Sequence, residues 1–417
     1  MTARRTRAAA ILAAAAIITV TGCSTKSSSS GSASGGSGGS GTVKTGRGVS
    51  GNTITIGELT DLSGVFAALG KDVTNAQQLF WDQTNAKGGV CGKYQVKVEV
   101  KDHGYQVQQA VQLYSSLKTD VLAISQTIGS PINVALADQF KQDSMVNIPE
   151  AWARSLTENP QNAVVGATYD VEMVNGLDYL MKQGKIKEGD KLGHIYFEGD
   201  YGANGLAGSK YFASKHGMTI DEAQIKSTDA DMTAQVTKFK ADGVKAILLT
   251  TAPAATASAV GVAAQVGLNV PVLGNNPVFA PGLLASPAGP ALKANMIVAS
   301  PVPAFDQQQQ LLKDYTAKYP GTTPSLGAVH GYADALVMSQ ILEKACANGD
   351  LTPEGVTKAK ASLTNVDTKN LVVPLDYSKK GSPSNQSYIL QPADGPGGAK
   401  QVQAATEGED VAGLNNG

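Results

Sequence analysis

The chain has 417 residues, of which 42% are hydrophobic and 17% charged. That is enough apolar material for one large or two medium globular cores, and it excludes a disordered chain. A formal net charge of −1 offers no basic surface to a polyanion, so nucleic acid is excluded as a partner.

Arg4, Arg5 and Arg7 precede an apolar run from Ala8 to Val20, followed by Thr21-Gly22-Cys23. The run is shorter than the roughly 20 residues that span a bilayer, so residues 1–22 read as a signal peptide. Val20-Thr21-Gly22-Cys23 resembles the bacterial lipobox. The resemblance implies that Cys23 is lipidated and becomes the mature N-terminus, anchored to the outer face of the cell membrane. Residues 23–50 are rich in Ser and Gly and read as a flexible tether. Gly35-Gly36-Ser37-Gly38-Gly39 spells a hydrolase elbow inside this tract, but no strand precedes it and no helix follows. With Cys23 lipidated, Cys91 and Cys346 are left either to pair in an oxidising compartment or to stand as two buried thiols.

After the tether, β-branched runs alternate with amphipathic stretches of helical length. Strands are expected at Thr53–Ile56, Tyr94–Val100 and Val121–Ile124, with helices at Lys71–Asn85, Val107–Leu117 and Ile132–Lys141 between and after them. This βαβαβα order implies a parallel sheet covered on both faces. The alternation restarts beyond Thr157–Gly166. Helices are expected near Val171–Gln183, Gly205–His216, Thr233–Ala241 and Ala254–Val266, and strands near Lys191–Phe197, Met218–Ile225, Val244–Thr250 and Val270–Leu273. A strand at Met296–Ala299, helices at Gln308–Tyr319 and Tyr332–Cys346, and a last strand at Leu371–Leu375 complete the pattern.

Several short pieces recur in a telling order: Ile56-Gly57 with Leu62-Ser63-Gly64, Asn85-Ala86-Lys87-Gly88-Gly89-Val90, Gly129-Ser130-Pro131, Tyr201-Gly202, Thr228 to Thr233, and Gly331 to Ala335. In that order and spacing, from Ile54 to Leu375, the chain resembles the bacterial solute-binding proteins of the branched-chain amino acid type. The resemblance implies the type I periplasmic binding fold, an α/β architecture of two Rossmann-like lobes joined by three crossover segments. These are placed near Ala163–Thr168, Val298–Pro303 and Leu371–Asp376. Residues 51–166 plus 300–370 then form lobe I, and 167–299 plus 371–417 form lobe II. This arrangement returns Cys346 to the lobe that carries Cys91, which supports their disulfide.

Ligands of open α/β sheets bind beyond the carboxyl ends of the strands. The loops in that position supply Ser63, Phe66, Gly129, Ser130, Glu150, Ala151, Trp152, Tyr201 and Asp229 as ligand-binding candidates. Ser130, before Pro131, is expected to cap a helix whose free amides could hold a carboxylate. The resemblance implies that the loop at Glu150-Ala151-Trp152 also holds the ligand's carboxylate end, where relatives usually carry small residues. It implies further that Tyr201 contacts the ligand and that Asp229 pairs with a ligand ammonium, while Asp231 caps the next helix. The large Glu150 and Trp152 depart from the family pattern and point away from an ordinary aliphatic amino acid. His103, His194, His216 and His330 are far apart and lack metal-ligand spacing, so neither metal nor cofactor is expected. The expectation is a monomeric, non-enzymatic receptor that closes on a small solute, an amino acid, amide or small aromatic acid, and delivers it to ABC transporter permease subunits. A sensor of the same fold is the alternative, and a surface hydrolase a weaker one.

Overall fold

The computed structural model describes residues 43–414, so the leader, Cys23 and most of the Ser/Gly tract lie outside the described residues. Residues 43–50, expected as tether, are built into the fold. There β1 (Lys44–Thr45) pairs in parallel with Asp350–Leu351, and the Arg47 guanidinium donates to the carbonyls of Val121 and Asp143 at 3.2 and 2.6 Å. The short β2 (Val49–Ser50) folds back antiparallel on β3 (Thr53–Thr60).

The first lobe follows the expected alternation, β3, α1 (Ala67–Ala86), β4 (Gln95–Asp102), α2 (Val107–Leu117), β5 (Ile124–Ile128) and α3 (Ser130–Gln142), and adds a strand that was not expected, β6 (Asn147–Glu150). Its parallel strands lie in the order β4-β3-β5-β6. The direction of strand addition reverses at β3, and the carboxyl ends of β3 and β5 flank the crevice that this reversal leaves. The observed β5 starts where the predicted strand ends, because Val121, Leu122 and Ala123 are buried but only lead into the sheet.

The second lobe contains α4 (Tyr169–Lys182), β7 (Lys191–Phe197), α5 (Asp200–Lys215), β8 (Thr219–Ile225), α6 (Thr233–Asp242), β9 (Ile247–Thr250), α7 (Pro253–Gln265), β10 (Val272–Asn275), α8 (Gly289–Asn295) and β11 (Met296–Ser300). Its strands run β8-β7-β9-β10-β11, all parallel. The chain then returns to the first lobe as α9 (Gln309–Lys318), α10 (Gly327–Ala347), β12 (Asp350–Leu351) and α11 (Pro353–Ala361). It ends on the second sheet, where β13 (Gln386–Pro392) and β14 (Ala399–Glu407) add antiparallel to β11 before α12 (Val411–Leu414).

The strand expected at Leu371–Leu375 is not there. Those residues are apolar because they are buried inside the third crossing between the lobes, where the Val373 amide donates to the Pro301 carbonyl at 2.8 Å. The hairpin of β13 and β14 lay beyond the expected pattern, since β14 is an edge strand whose alternation is mostly Gln, Lys and Ala. The three crossings bond to one another: the Tyr377 hydroxyl donates to the Val164 carbonyl at 2.8 Å, and the Thr168 amide to the Ser382 hydroxyl at 3.0 Å.

On the first lobe α10 lies against α1, and glycine sets how near they come. A Cβ added to Gly331 would stand 2.1 Å from the Val73 carbonyl oxygen, a contact that no side chain can relieve. At the far end of the same helix pair, Cys91 is disulfide-bonded to Cys346, with their Cα atoms 6.3 Å apart. Closing so long a loop stabilises the fold by about 5 kcal/mol in the chain-entropy model, and native bridges are typically worth 2–5. Reduction should therefore lower the melting temperature by several degrees at least. Alkylation of the native protein should leave Cys91 and Cys346 unlabelled until a reductant is added.

Candidate ligand-binding cleft

The two sheets present their carboxyl ends to a shared cleft. On the first lobe, the Asp61 carboxylate accepts from the amides of Gly64 and Phe66, at 2.5 and 2.9 Å, and this turn sets the Phe66 ring over the opening. The Phe66 ring reaches the second lobe, 6.5 Å from the Phe197 ring and 6.3 Å from that of Tyr201. These ring edges bridge the two lobes across the cleft.

Gly129 carries the chain into α3 at φ 100°, a conformation that a side chain resists, and a Cβ there would meet the Tyr105 ring at 2.7 Å. Ser130 does not cap the helix as expected. It is the first helical residue, its side chain makes no cap bond, and its hydroxyl is buried on the cleft wall beside the Tyr169 phenol. At the end of β6, Glu150 and Trp152 face the cleft. The Trp152 indole is fixed by donation to the Val165 carbonyl at 2.9 Å and by ring contacts with His330 and Tyr169, at 5.0 and 6.0 Å. Tyr201, in the first turn of α5, lies 4.6 Å from the Tyr169 ring and donates its hydroxyl to the Thr251 carbonyl at 3.0 Å.

Of the sequence candidates, Phe66, Gly129, Ser130, Glu150, Trp152 and Tyr201 line the cleft. Ser63, Ala151 and Asp229 do not. Ser63 is exposed and donates to Asp102 at 2.8 Å. Ala151 is buried in the core behind the wall. Asp229 is exposed on the turn after β8, where its carboxylate accepts from the Lys226 amide at 2.8 Å, outside the residues that line the cleft. Asp231 accepts from the Thr233 amide at 2.9 Å but is not the cap expected of it, because α6 begins at Thr233, with Met232 as its N-cap. Tyr105, Tyr169 and Pro277 line the cleft without any motif to mark them. Tyr105 follows β4 at a strand end, so the strand-end rule could have found it, whereas Tyr169 and Pro277 come from the first crossing and from the loop after β10.

The wall is mostly apolar, with Leu69, Val73 and Ile128 completing it, and no lining side chain is cationic. Its one acidic group is Glu150, backed by Asp334 and His330 of α10 and, deeper, by Glu58 of β3. Burial pushes the carboxyl of Glu150 up to about 7 and that of Glu58 to about 8. Asp334 is raised further by burial and by Glu150 beside it, and His330 is driven down to about 3 by burial.

Two α/β lobes joined by three crossings, with a cleft between them, define the type I periplasmic binding architecture. The chain belongs to the periplasmic binding protein family, whose model matches residues 53–398. The solved structure of the fatty acid ABC transporter substrate-binding protein from Thermomonospora curvata resembles it over 89% of this chain and 97% of that one, at 41% identity and a TM-score of 0.87. The branched chain amino acid ABC transporter structure from Thermus thermophilus with bound valine shares the fold, with a TM-score of 0.75 over 88% of this chain and 100% of that one, at 17% identity. The Leu/Ile/Val-binding protein BraC3 of Rhizobium johnstonii is 27% identical over 201 residues, 46% of this chain and 53% of that protein. The chain spans about half the length of the curated relatives it matches.

Two measurements follow from this geometry. The native chain keeps protons on Glu58, Glu150, Asp334 and Glu172 that the unfolded chain releases near pH 4.5, so stability falls as pH rises towards the raised values. His194 and His330, buried neutral, act in the opposite sense but only below about pH 6.5. Between pH 6.5 and 8 the melting temperature should therefore fall, by about 1.4 kcal/mol of stability per pH unit for each carboxyl still protonated, and Glu58→Gln should flatten the slope. Trp81 and Trp152 are the chain's two tryptophans, and only Trp152 lines the cleft. A cleft ligand should change the emission of the native protein, and Trp152→Phe should abolish the change.

Proposed function

We propose that this protein is an exported, lipid-anchored receptor that captures a carboxylic acid with an apolar body, of the fatty-acid class, and delivers it to an ABC importer. The carrying observation is the make-up of the cleft. Its walls are Phe66, Leu69, Val73, Ile128 and Trp152, and its donors are the Ser130 hydroxyl, the Tyr169 phenol and the first amides of α3. The amino end of a helix favours negative charge, so a ligand carboxylate belongs there, with its chain along the aromatic wall. Among the described residues that line the cleft, the second lobe supplies no carboxylate: Asp229 lies outside it, and Glu172 stands behind Tyr169 and Tyr201. The 41% identity to the fatty acid ABC transporter substrate-binding protein of Thermomonospora curvata supports the same ligand class. Leader, Cys23 and Ser/Gly tract support export and anchoring. Binding without catalysis is supported by the placement of His194, whose ring nitrogens are spent on Ser209 and Thr250, at 2.9 and 3.0 Å, inside the second lobe.

A second reading, a branched-chain amino acid whose ammonium meets Glu150, draws on the acidic group in the cleft wall and on the Leu/Ile/Val-binding relatives. Calorimetric titration of the purified protein with straight-chain carboxylates from butanoate to palmitate, and with leucine, isoleucine and valine, separates the two. Carboxylate binding with a Kd near or below about 1 μM, or about −8 kcal/mol, with no response to the amino acids, is the expected outcome. Heat from the amino acids alone would overturn the proposal in favour of the second reading. Asp229→Asn should leave the affinity unchanged.

A further inference from the structure

Glu150 is an unusual group to find in the wall of a cleft that lacks cations. It is about nine-tenths buried, its Oε2 meets no protein donor, and both oxygens of the neighbouring Asp334 carboxyl are also without a donor. Every group facing the pair is neutral or acidic. His330 of α10 has its Nδ1 4.0 Å from Glu150 Oε1, and neither of its ring nitrogens has a partner. Glu58 of β3 and the Tyr377 phenol of the third crossing lie on the Asp334 side. Ser130 of α3, Tyr169 of α4 and Trp152 close the cleft side. Two carboxyls in contact cannot both be ionised in so dry a place, so the pair holds at least one proton between them, and a second at low pH. A ligand carboxylate arriving at Ser130 and Tyr169 would bring a further negative charge to the same wall.

We propose that Glu150 determines specificity by binding the ligand's carboxylate as a neutral acid, so that wherever Glu150 is ionised in the free protein the ligand is captured together with one proton from solvent. This rests on the carboxylic-acid reading above. The proton ends on Glu150 and its O–H donates to the ligand carboxylate, while Asp334 behind it keeps the proton that bridges the pair in the free protein. No bond other than hydrogen bonds forms or breaks. An ammonium-bearing ligand would behave in the opposite way, since it would favour ionised Glu150 and release a proton. Glu150 touches the ligand in this arrangement, and Asp334 is a positioning residue that acts through it.

The test is titration of octanoate, which stays ionised throughout, into the purified protein at pH 6, 7, 7.5 and 8.5. Each titration is run in two buffers of different ionisation enthalpy, so that the protons exchanged are counted. The inference expects affinity nearly flat below about pH 6.5 and about tenfold weaker for each unit above pH 7.5, with proton uptake rising from near zero at pH 6 towards one per ligand at pH 8.5. Glu150→Gln, whose amide can donate but cannot titrate, should still bind octanoate but with no proton uptake and no dependence on pH. Asp334→Asn, whose amide can donate to an ionised Glu150, should move the onset of the pH dependence to lower pH. Octanoate binding with a flat pH profile and no proton uptake in the native protein would overturn the inference while leaving the carboxylic-acid reading in place. Failure to bind octanoate or any other carboxylate at any of these pH values would overturn both.

Discussion

Glu150 and Asp334 lie side by side in a wall of Trp152, His330 and the inner face of α10, with no cation to offset them, and this unpaired burial governs the chemistry of the cleft. An ionised carboxylate there would lose its hydration and gain no donor in return, a cost that raises both carboxyls, Glu150 to about 7. The wall therefore presents an acid, where a binding site for a zwitterion would present a fixed anion to the ammonium. The same reasoning keeps His330 uncharged, because a second proton would have to enter the same dry volume. Glu58 extends this neutral acidic interior into the sheet behind.

The fold makes such a wall possible by bringing four separate stretches to one place. β3, β5 and β6 end at the crevice, and α10 passes behind them after returning from the second lobe. Its close approach depends on Gly331 against the Val73 carbonyl, and the Cys91–Cys346 bridge ties down the other end of the helix pair. Asp334 and His330 thus reach the site from a helix about 180 residues later in the chain than β6. The crossings supply the remaining geometry. Trp152 is held by Val165 and Tyr169 starts α4, so both rings sit where the first crossing meets the cleft, close to any hinge movement.

The contact of Phe66 with Phe197 and Tyr201 joins the lobes through aromatic edges, alongside an ion pair between Arg154 of the first lobe and the buried Asp170 of the second. The aromatic part of this seam is held by apolar area. Under the proposed function, a ligand would place its own apolar surface between these rings, and closure would sense it through differential burial.

Much of the scaffold was legible in the sequence. Strand and helix alternation is a local property of side-chain period, so most elements from β3 to α10 were readable within about five residues, although β6 and α8 were not expected, and the strand-end rule pointed to Phe66, Gly129, Ser130, Glu150, Trp152 and Tyr201. The misreadings have one cause. At Leu371–Leu375 a buried apolar run looks the same whether it lies in a sheet or in a crossing, because hydrophobicity records burial and not hydrogen-bond partners. Residues 43–50 looked like tether because their few polar partners, at Val121, Asp143 and Asp350, are remote in sequence. Asp229 looked like a ligand residue by position, and only the path of the turn after β8 sends it to solvent. The sequence by itself determined the two-sheet α/β order, the pairing of the two non-leader cysteines as one option, and the strand-end loops of the cleft. Only the tertiary structure decided the charge of the site, because a carboxyl's protonation depends on what surrounds it in space, and the groups around Glu150 come from β3, α10 and the crossings.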